Sequence, residues 1–178
     1  EWLPRAADVR IDDAARARWE KVRDGLIVKA LGFPRAFTIR DYHAENLLWL
    51  PNRDGLQRVG LLDFQDAVRG WRGWDFSMLL HDARRDVSPE AREASIRAYL
   101  DGTGGTRREF DERFSVLGAM NTMRIMGIFA RLVTRDKKPR YDSFQPRLRG
   151  LLNETLSHPA MSETRGFVEA VAPHLLVS

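Results

Sequence analysis

The stretch Ile39-Arg40-Asp41-Tyr42-His43-Ala44-Glu45-Asn46, followed further along by Asp63, decides how this chain is read. It lies between a short extended stretch, Ala36-Phe37-Thr38-Ile39, and two apolar runs, Leu47-Leu48-Trp49-Leu50 and Val59-Gly60-Leu61-Leu62. The runs flank Pro51-Asn52-Arg53-Asp54-Gly55, and an Asp-Gly pair between apolar runs is a strong hairpin signal. Opposed residues in an antiparallel hairpin are equidistant from its turn. A turn centred between Asp54 and Gly55 therefore sets Asn46 opposite Asp63, with Asp41 on the loop that enters the hairpin. An amide oxygen and a carboxylate would then project from the open end, near enough to share a cation.

Outside this hairpin the pattern is helical, so the expected fold class is α+β and predominantly α-helical. Asp12-Asp13 precede a stripe of Trp19, Val22, Leu26 and Ala30, and Gly32 and Pro34 follow it; this spells a capped helix with a stop. Trp74 to about Arg84 is amphipathic. Ser88-Pro89 provides an N-cap and a first-turn proline for a helix running to about Leu100. Phe110 to about Val133 is apolar nearly all round, which predicts a helix buried at the centre of a helical body. Two more helices are expected, near Phe144 to Leu156 and Glu163 to Ala172, separated by His158-Pro159.

With 178 residues and an ordinary apolar fraction the chain reads as one domain with a sizeable core. Cysteine is absent, so disulfides and thiolate metal sites are excluded. No apolar run is read as a membrane span, and Glu1-Trp2-Leu3-Pro4-Arg5 lacks the pattern of a secretion signal; a cytoplasmic protein is expected. The formal charge of +4 comes from arginines spread along the chain, lysine occurring only at positions 21, 29, 137 and 138. Spread in this way, they suggest a solvated surface and argue against a nucleic-acid interface.

Phosphoryl transfer needs a positioned carboxylate to take the acceptor hydroxyl's proton, and oxygen ligands that hold magnesium against the phosphates. Asp41 and Asn46, with four residues between them and Asp63 beyond, have these types in that order. Singly, each is also what a turn, a strand end or a loop start selects. Together, on one hairpin, they point to Asp41 as base and to Asn46 and Asp63 as metal ligands.

Arg40-Asp41-Tyr42-His43-Ala44-Glu45-Asn46-Leu47 with Leu62-Asp63-Phe64-Gln65-Asp66-Ala67 resembles the aminoglycoside phosphotransferase and choline kinase superfamily, and most of all its bacterial cell-wall amino-sugar kinases. Trp74-Asp75-Phe76-Ser77, residues 126–132 and residues 135–141 extend the resemblance over roughly residues 1–152. It implies a protein-kinase-like C-terminal lobe with a small catalytic β-hairpin across residues 1–178, and an N-terminal ATP-binding lobe outside this chain as a partner. It implies ATP and Mg2+ as cofactors and a small-molecule acceptor, Asp41 as catalytic base, and Asn46 and Asp63 as cofactor and metal ligands. Asp75 becomes a buried support accepting from the catalytic-loop backbone, and Arg40 supports the same loop. The pattern departs at Ile39, where a histidine is expected, and at Gln65, where protein kinases have glycine. His43 is read as loop packing. The only glycine cluster, Asp101-Gly102-Thr103-Gly104-Gly105-Thr106, follows a helix and is no phosphate cradle.

The net basic charge favours a neutral or anionic acceptor such as an amino sugar, with Arg135 and Asp136 as possible acceptor-side residues. An aminoglycoside or choline-type kinase is the alternative, as is a non-catalytic kinase-like binding domain.

Overall fold

A computed structural model describes residues 9–176. The opening residues read above for a secretion signal lie outside the described residues. The chain divides into two compact units: one is formed by residues up to Gly32 together with those from Arg107 onward, the other by Phe33–Thr106. Both are described separately.

Among the described residues, the regular structure of the first unit is all helical. Helix α1, Asp13–Leu31, starts where Asp12 Oδ1 accepts the Ala15 N–H at 2.7 Å and stops at Gly32. One face of it buries Val22, Leu26 and Ala30. The long helix of this unit, Arg107–Thr134, begins before the expected Phe110, and an Arg107–Asp111 pair at 2.8 Å supports its first turn. It buries Phe110, Phe114, Leu117, Met126 and Phe129, and packs on α1 and on the helix Gln145–Leu156. The fully buried Leu117 and Leu148 each contribute roughly 1.5–3 kcal/mol of burial free energy. The last helix, Ser162–Val171, is fixed to α1 by Trp19 against Phe167, with ring centroids 5.4 Å apart, and by Arg18 Nη2 donating to the Gly166 carbonyl at 3.0 Å.

By length and composition the helix Arg107–Thr134 is apolar enough to cross a membrane, whereas the sequence reading takes no apolar run as a span. In this unit it is the central helix that its all-round apolarity predicts, and among its buried residues are Asn121 and Thr122.

The second unit carries the β structure and two helices. Strand β1, Arg35–Thr38, pairs antiparallel with Val68–Trp71, in the register Arg35↔Trp71 to Thr38↔Val68. The extended stretch at β1 was expected, but its partner was not. The hairpin pairs β2, Leu47–Trp49, with β3, Val59–Leu61, and Val68–Trp71 is β4.

The hairpin register differs by one residue from expectation. Leu47 faces Leu61, and the ladder continues with Leu62 N–H donating to the Asn46 carbonyl at 2.9 Å, so Asn46 is opposite Leu62 and Asp63 comes next. No two-residue turn forms at Asp54-Gly55. Gly55 takes a left-handed φ of 53° and opens a 3-10 turn, Gly55–Arg58, which lengthens the loop and moves its centre.

Helix α2, Trp74–Leu80, is shorter than the expected run to Arg84. Asp82 ends it: its carboxylate accepts the Arg84 N–H at 2.8 Å and the Ala44 N–H at 3.1 Å, offering the backbone a non-helical alternative. Helix α3, Pro89–Thr103, has the expected cap, with Ser88 Oγ accepting from Ala91 N at 3.2 Å. Phe76 of α2 stacks on Tyr99 of α3 at 4.7 Å. In the first unit the helices from Arg107 onward are accordingly α4, α5 and α6.

The β1–β4 contact is tight where it matters for the loop that follows. A Cβ on Gly70 would stand 2.7 Å from Thr38 Oγ1 and 2.8 Å from its Cβ, and Thr38 is 3% exposed. Gly70→Ala is therefore expected to destabilise the protein by about 1–3 kcal/mol. Chemical denaturation would show this as a lower midpoint with an unchanged slope; an unchanged midpoint would mean that β1 yields freely.

Candidate active site

The loop between β1 and β2 holds the candidate residues, and its backbone is bent where they begin. Arg40 has φ 79°, a left-handed conformation that costs a non-glycine residue about 1–3 kcal/mol unless its surroundings hold it. Asp75, at the start of α2, supplies that hold: Oδ2 accepts the Ile39 N–H at 2.6 Å and Oδ1 the Arg40 N–H at 2.9 Å. Charge-assisted bonds of this kind are about twice as strong as neutral ones. Asp75 is half-buried. Burial pushes its carboxyl above the usual 3.8, and the two amide bonds pull the other way. Burial, and then the Asp75 charge, raise the neighbouring Tyr42 hydroxyl above 10.0, so Tyr42 is neutral at physiological pH.

The side chain of Asp41 is exposed and therefore open to a reactant. His43 lies beside it, Nε2 being 3.6 Å from Asp41 Oδ2, which is close enough for an electrostatic contact but too long for a hydrogen bond. The other ring nitrogen, Nδ1, accepts the Glu45 N–H at 3.3 Å, so the neutral ring carries its proton on Nε2, facing the carboxylate.

Ala44–Asn46 forms one 3-10 turn into β2. Asn46 Nδ2 donates to the Asp41 carbonyl at 2.8 Å. With its amide group donating there, the other polar atom of the Asn46 side chain is Oδ1, an acceptor. Asp63 follows Leu62, whose N–H is bonded to Asn46, and has φ 53°, a conformation Asp tolerates better than most residues. Its Oδ1 accepts from Gln65 Nε2. Gln65, which departs from the glycine of protein kinases, thus holds one oxygen of Asp63.

Among the described residues, no group of three or more His, Cys, Asp or Glu side chains could hold a metal ion. A single carboxylate and an amide oxygen nevertheless suit magnesium, which keeps waters and takes further oxygens from substrate phosphates. The donor set fits that ion when it arrives with a phosphate.

The structure brings Asp41, Asn46, Asp63, Asp75 and Arg40 into one unit, whereas Arg135 and Asp136 lie in the other. There they pair with one another, Nε to Oδ1 at 2.6 Å and Nη2 to Oδ2 at 3.2 Å. This hydrogen bond raises the Arg135 guanidinium above its usual value and lowers the Asp136 carboxyl. Asp82 and Arg84, which the sequence reading gave no role, contact the loop directly. Asp82 accepts from Ala44 N, and Arg84 Nε lies 3.0 Å from Glu45 Oε2.

A predominantly helical protein with an exposed carboxylate, an available amide oxygen and a second carboxylate gathered around one hairpin has the donors for acid–base chemistry on a cation-bound anion. The chain belongs to the phosphotransferase enzyme family, whose model matches residues 1–111. Among curated proteins it is similar to an N-acetylmuramate/N-acetylglucosamine kinase of Caulobacter vibrioides, 49% identical over 178 residues, covering 97% of this chain and 48% of that protein. Proteins of the same name are 30% identical in Pseudomonas putida, over 92% of this chain and 49% of the relative, and 32% identical in Pseudomonas aeruginosa, over 91% and 49%. The chain spans about half the length of the curated relatives it matches.

Proposed function

We propose that the full-length protein transfers the γ-phosphate of ATP to a hydroxyl of an amino sugar of the N-acetylmuramate or N-acetylglucosamine type, and that this chain is the helical, catalytic lobe of a protein-kinase-like fold. The observation that supports this reading is one loop and hairpin that carries Asp41, Asn46 and, next to Leu62 opposite Asn46, Asp63, with Asp75 bonded to the backbone before Asp41. The names of the relatives supply the acceptor. The net charge of +4 agrees with a neutral or carboxylate-bearing sugar better than with a polycationic aminoglycoside or choline. An ATP-dependent reaction is compatible with a cytoplasmic protein.

In this mechanism Asp41 accepts the proton of the attacking sugar hydroxyl while the left-handed turn at Arg40, fixed by Asp75, keeps its carboxylate in place. Asn46 Oδ1 and an oxygen of Asp63 would hold a magnesium ion, which would supply neutralisation of phosphate charge there. His43, with Nε2 3.6 Å from Asp41 Oδ2, is an electrostatic neighbour of that carboxylate.

The remaining half of an ATP site would come from an N-terminal lobe. The second unit offers it an apolar surface: Phe37 is 74% exposed, Trp49 65%, Leu56 94% and Phe64 58%.

A coupled assay of ADP release tests the reading. The full-length protein with ATP and magnesium is expected to turn over with N-acetylmuramate or N-acetylglucosamine, and to show no comparable turnover with kanamycin or choline. Turnover with choline or kanamycin alone would move the acceptor assignment to those classes, and binding of ATP without transfer to any acceptor would leave a nucleotide-binding domain.

A further inference from the structure

The catalytic loop is gripped on both sides of Asp41, and only one grip was foreseen. Asp75 holds the two residues before it, Ile39 and Arg40. On the far side, Asp82 Oδ2 accepts the Ala44 N–H at 3.1 Å, and Arg84 Nε lies 3.0 Å from Glu45 Oε2. Asp82 and Arg84 are themselves joined: Oδ1 accepts the Arg84 backbone N–H at 2.8 Å, with Nη1 of the same arginine 3.9 Å away. We infer that Asp82 and Arg84 are positioning residues that fix the turn Ala44–Asn46 and so present the Asn46 amide oxygen to the metal. The inference rests on the function proposed above.

The burial of Asp82 argues against a merely local role. It is 3% exposed among Leu80, His81 and Ala83, which are buried as well. A carboxylate is expensive to bury unless it is well bonded. Ending α2 requires only the bond to Arg84 N–H. The second oxygen crosses to the loop, to an amide two residues before Asn46.

From there the geometry passes step by step. Ala44 is tied by its amide and Glu45 by its carboxylate, while the Asn46 N–H donates to the His43 carbonyl at 2.9 Å and the Asn46 carbonyl accepts from Leu62 at 2.9 Å. These last bonds give the turn its internal shape. The ties from Asp82 and Arg84 set where that shape lies relative to α2. The two carboxylates therefore divide the loop: Asp75 sets the base side, Asp82 the metal side.

Asp82→Asn in the full-length protein tests this. Asparagine keeps the size but turns an NH2 group toward one of the two amides, so one bond is lost. The expected result is a rise of about 10-fold or more in the magnesium concentration for half-maximal rate, as loss of an outer partner of a metal ligand typically causes. KM for the sugar should stay at the wild-type value, because the inferred role of both residues is confined to the metal side of the loop. Independently of activity, amide hydrogen exchange should quicken at residues 43–46 while residues 39–40 keep wild-type protection.

Arg84→Gln, which breaks the tie to Glu45 and leaves the Asp82 amide bonds, should move both readouts less and in the same direction. It decides the matter if Asp82→Asn does not fold. Wild-type magnesium dependence with wild-type exchange at 43–46 would overturn the inference, as would exchange rising equally at 39–40. If the wild-type protein phosphorylates no sugar, the proposed function fails, and the exchange pattern alone decides whether Asp82 positions the loop.

Discussion

Asp41→Asn in the full-length protein is expected to lower kcat by about 10²–10⁴-fold, the range a positioned general base supplies, with the sugar KM and the magnesium dependence near wild type. The substitution is a clean one in this loop. What ties Asp41 to Asn46 is the backbone carbonyl of Asp41, accepting at 2.8 Å, and that bond does not depend on the side chain. The grip of Asp75 falls on Ile39 and Arg40, one residue earlier, and is equally indifferent to the change. The expected loss is thus confined to proton acceptance. His43 loses only an electrostatic neighbour 3.6 Å away. Steady-state kinetics with saturating ATP and magnesium measure the effect. A variant keeping more than about a tenth of the wild-type kcat would remove Asp41 from the role of base, and a loss appearing in KM alone would make it a binding residue.

What could be read from the sequence follows the range of the interactions involved. Helix α1 is announced by Asp12 and ended by Gly32, and α3 is announced by Ser88 and Pro89; these are contacts within one turn and therefore local in sequence. The hairpin was legible as a hairpin, since apolar runs on either side of an Asp-Gly pair are local too. Its register was not, because the 3-10 turn at Gly55–Arg58 and the left-handed Gly55 are set by how the whole loop closes. Strand β4 escaped notice for a related reason. Val68-Arg69-Gly70-Trp71 shows no alternation, and its partner β1 lies some thirty residues earlier, so nothing local marks the pairing.

The same distinction separates the candidate residues. Asp41 and Asn46 share a short spacing that a chemical template recognises, and Asp75 could be drawn in by resemblance. Asp82 had no such marker. It appeared to belong to the helix beginning at Trp74, and only the three-dimensional return of its carboxylate to Ala44 shows that the helix has already ended. Arg135 and Asp136 are a conspicuous charged pair in sequence, and in the structure they pair with each other in the other unit.

Asp63 is where backbone strain and proposed chemistry coincide, and this yields the second large expectation. Asp63→Asn should weaken the magnesium response and lower kcat/KM for ATP by at least the 10–100-fold that loss of a mere outer partner causes. Asparagine tolerates φ 53° as aspartate does, and its Oδ1 remains able to accept from Gln65, so shape and backbone persist while the negative charge goes. Asp63→Gly separates strain from function. Glycine adopts left-handed φ without steric penalty, so the unfolding free energy should stay within about 1 kcal/mol of wild type or rise, even though the metal ligand is gone. A variant as stable as the wild type, yet unresponsive to magnesium, would show that the aspartate is kept at a strained position for its charge. If both variants retained the wild-type magnesium response, Asp63 would be no ligand, and its left-handed turn would serve only to lead the chain from β3 toward β4.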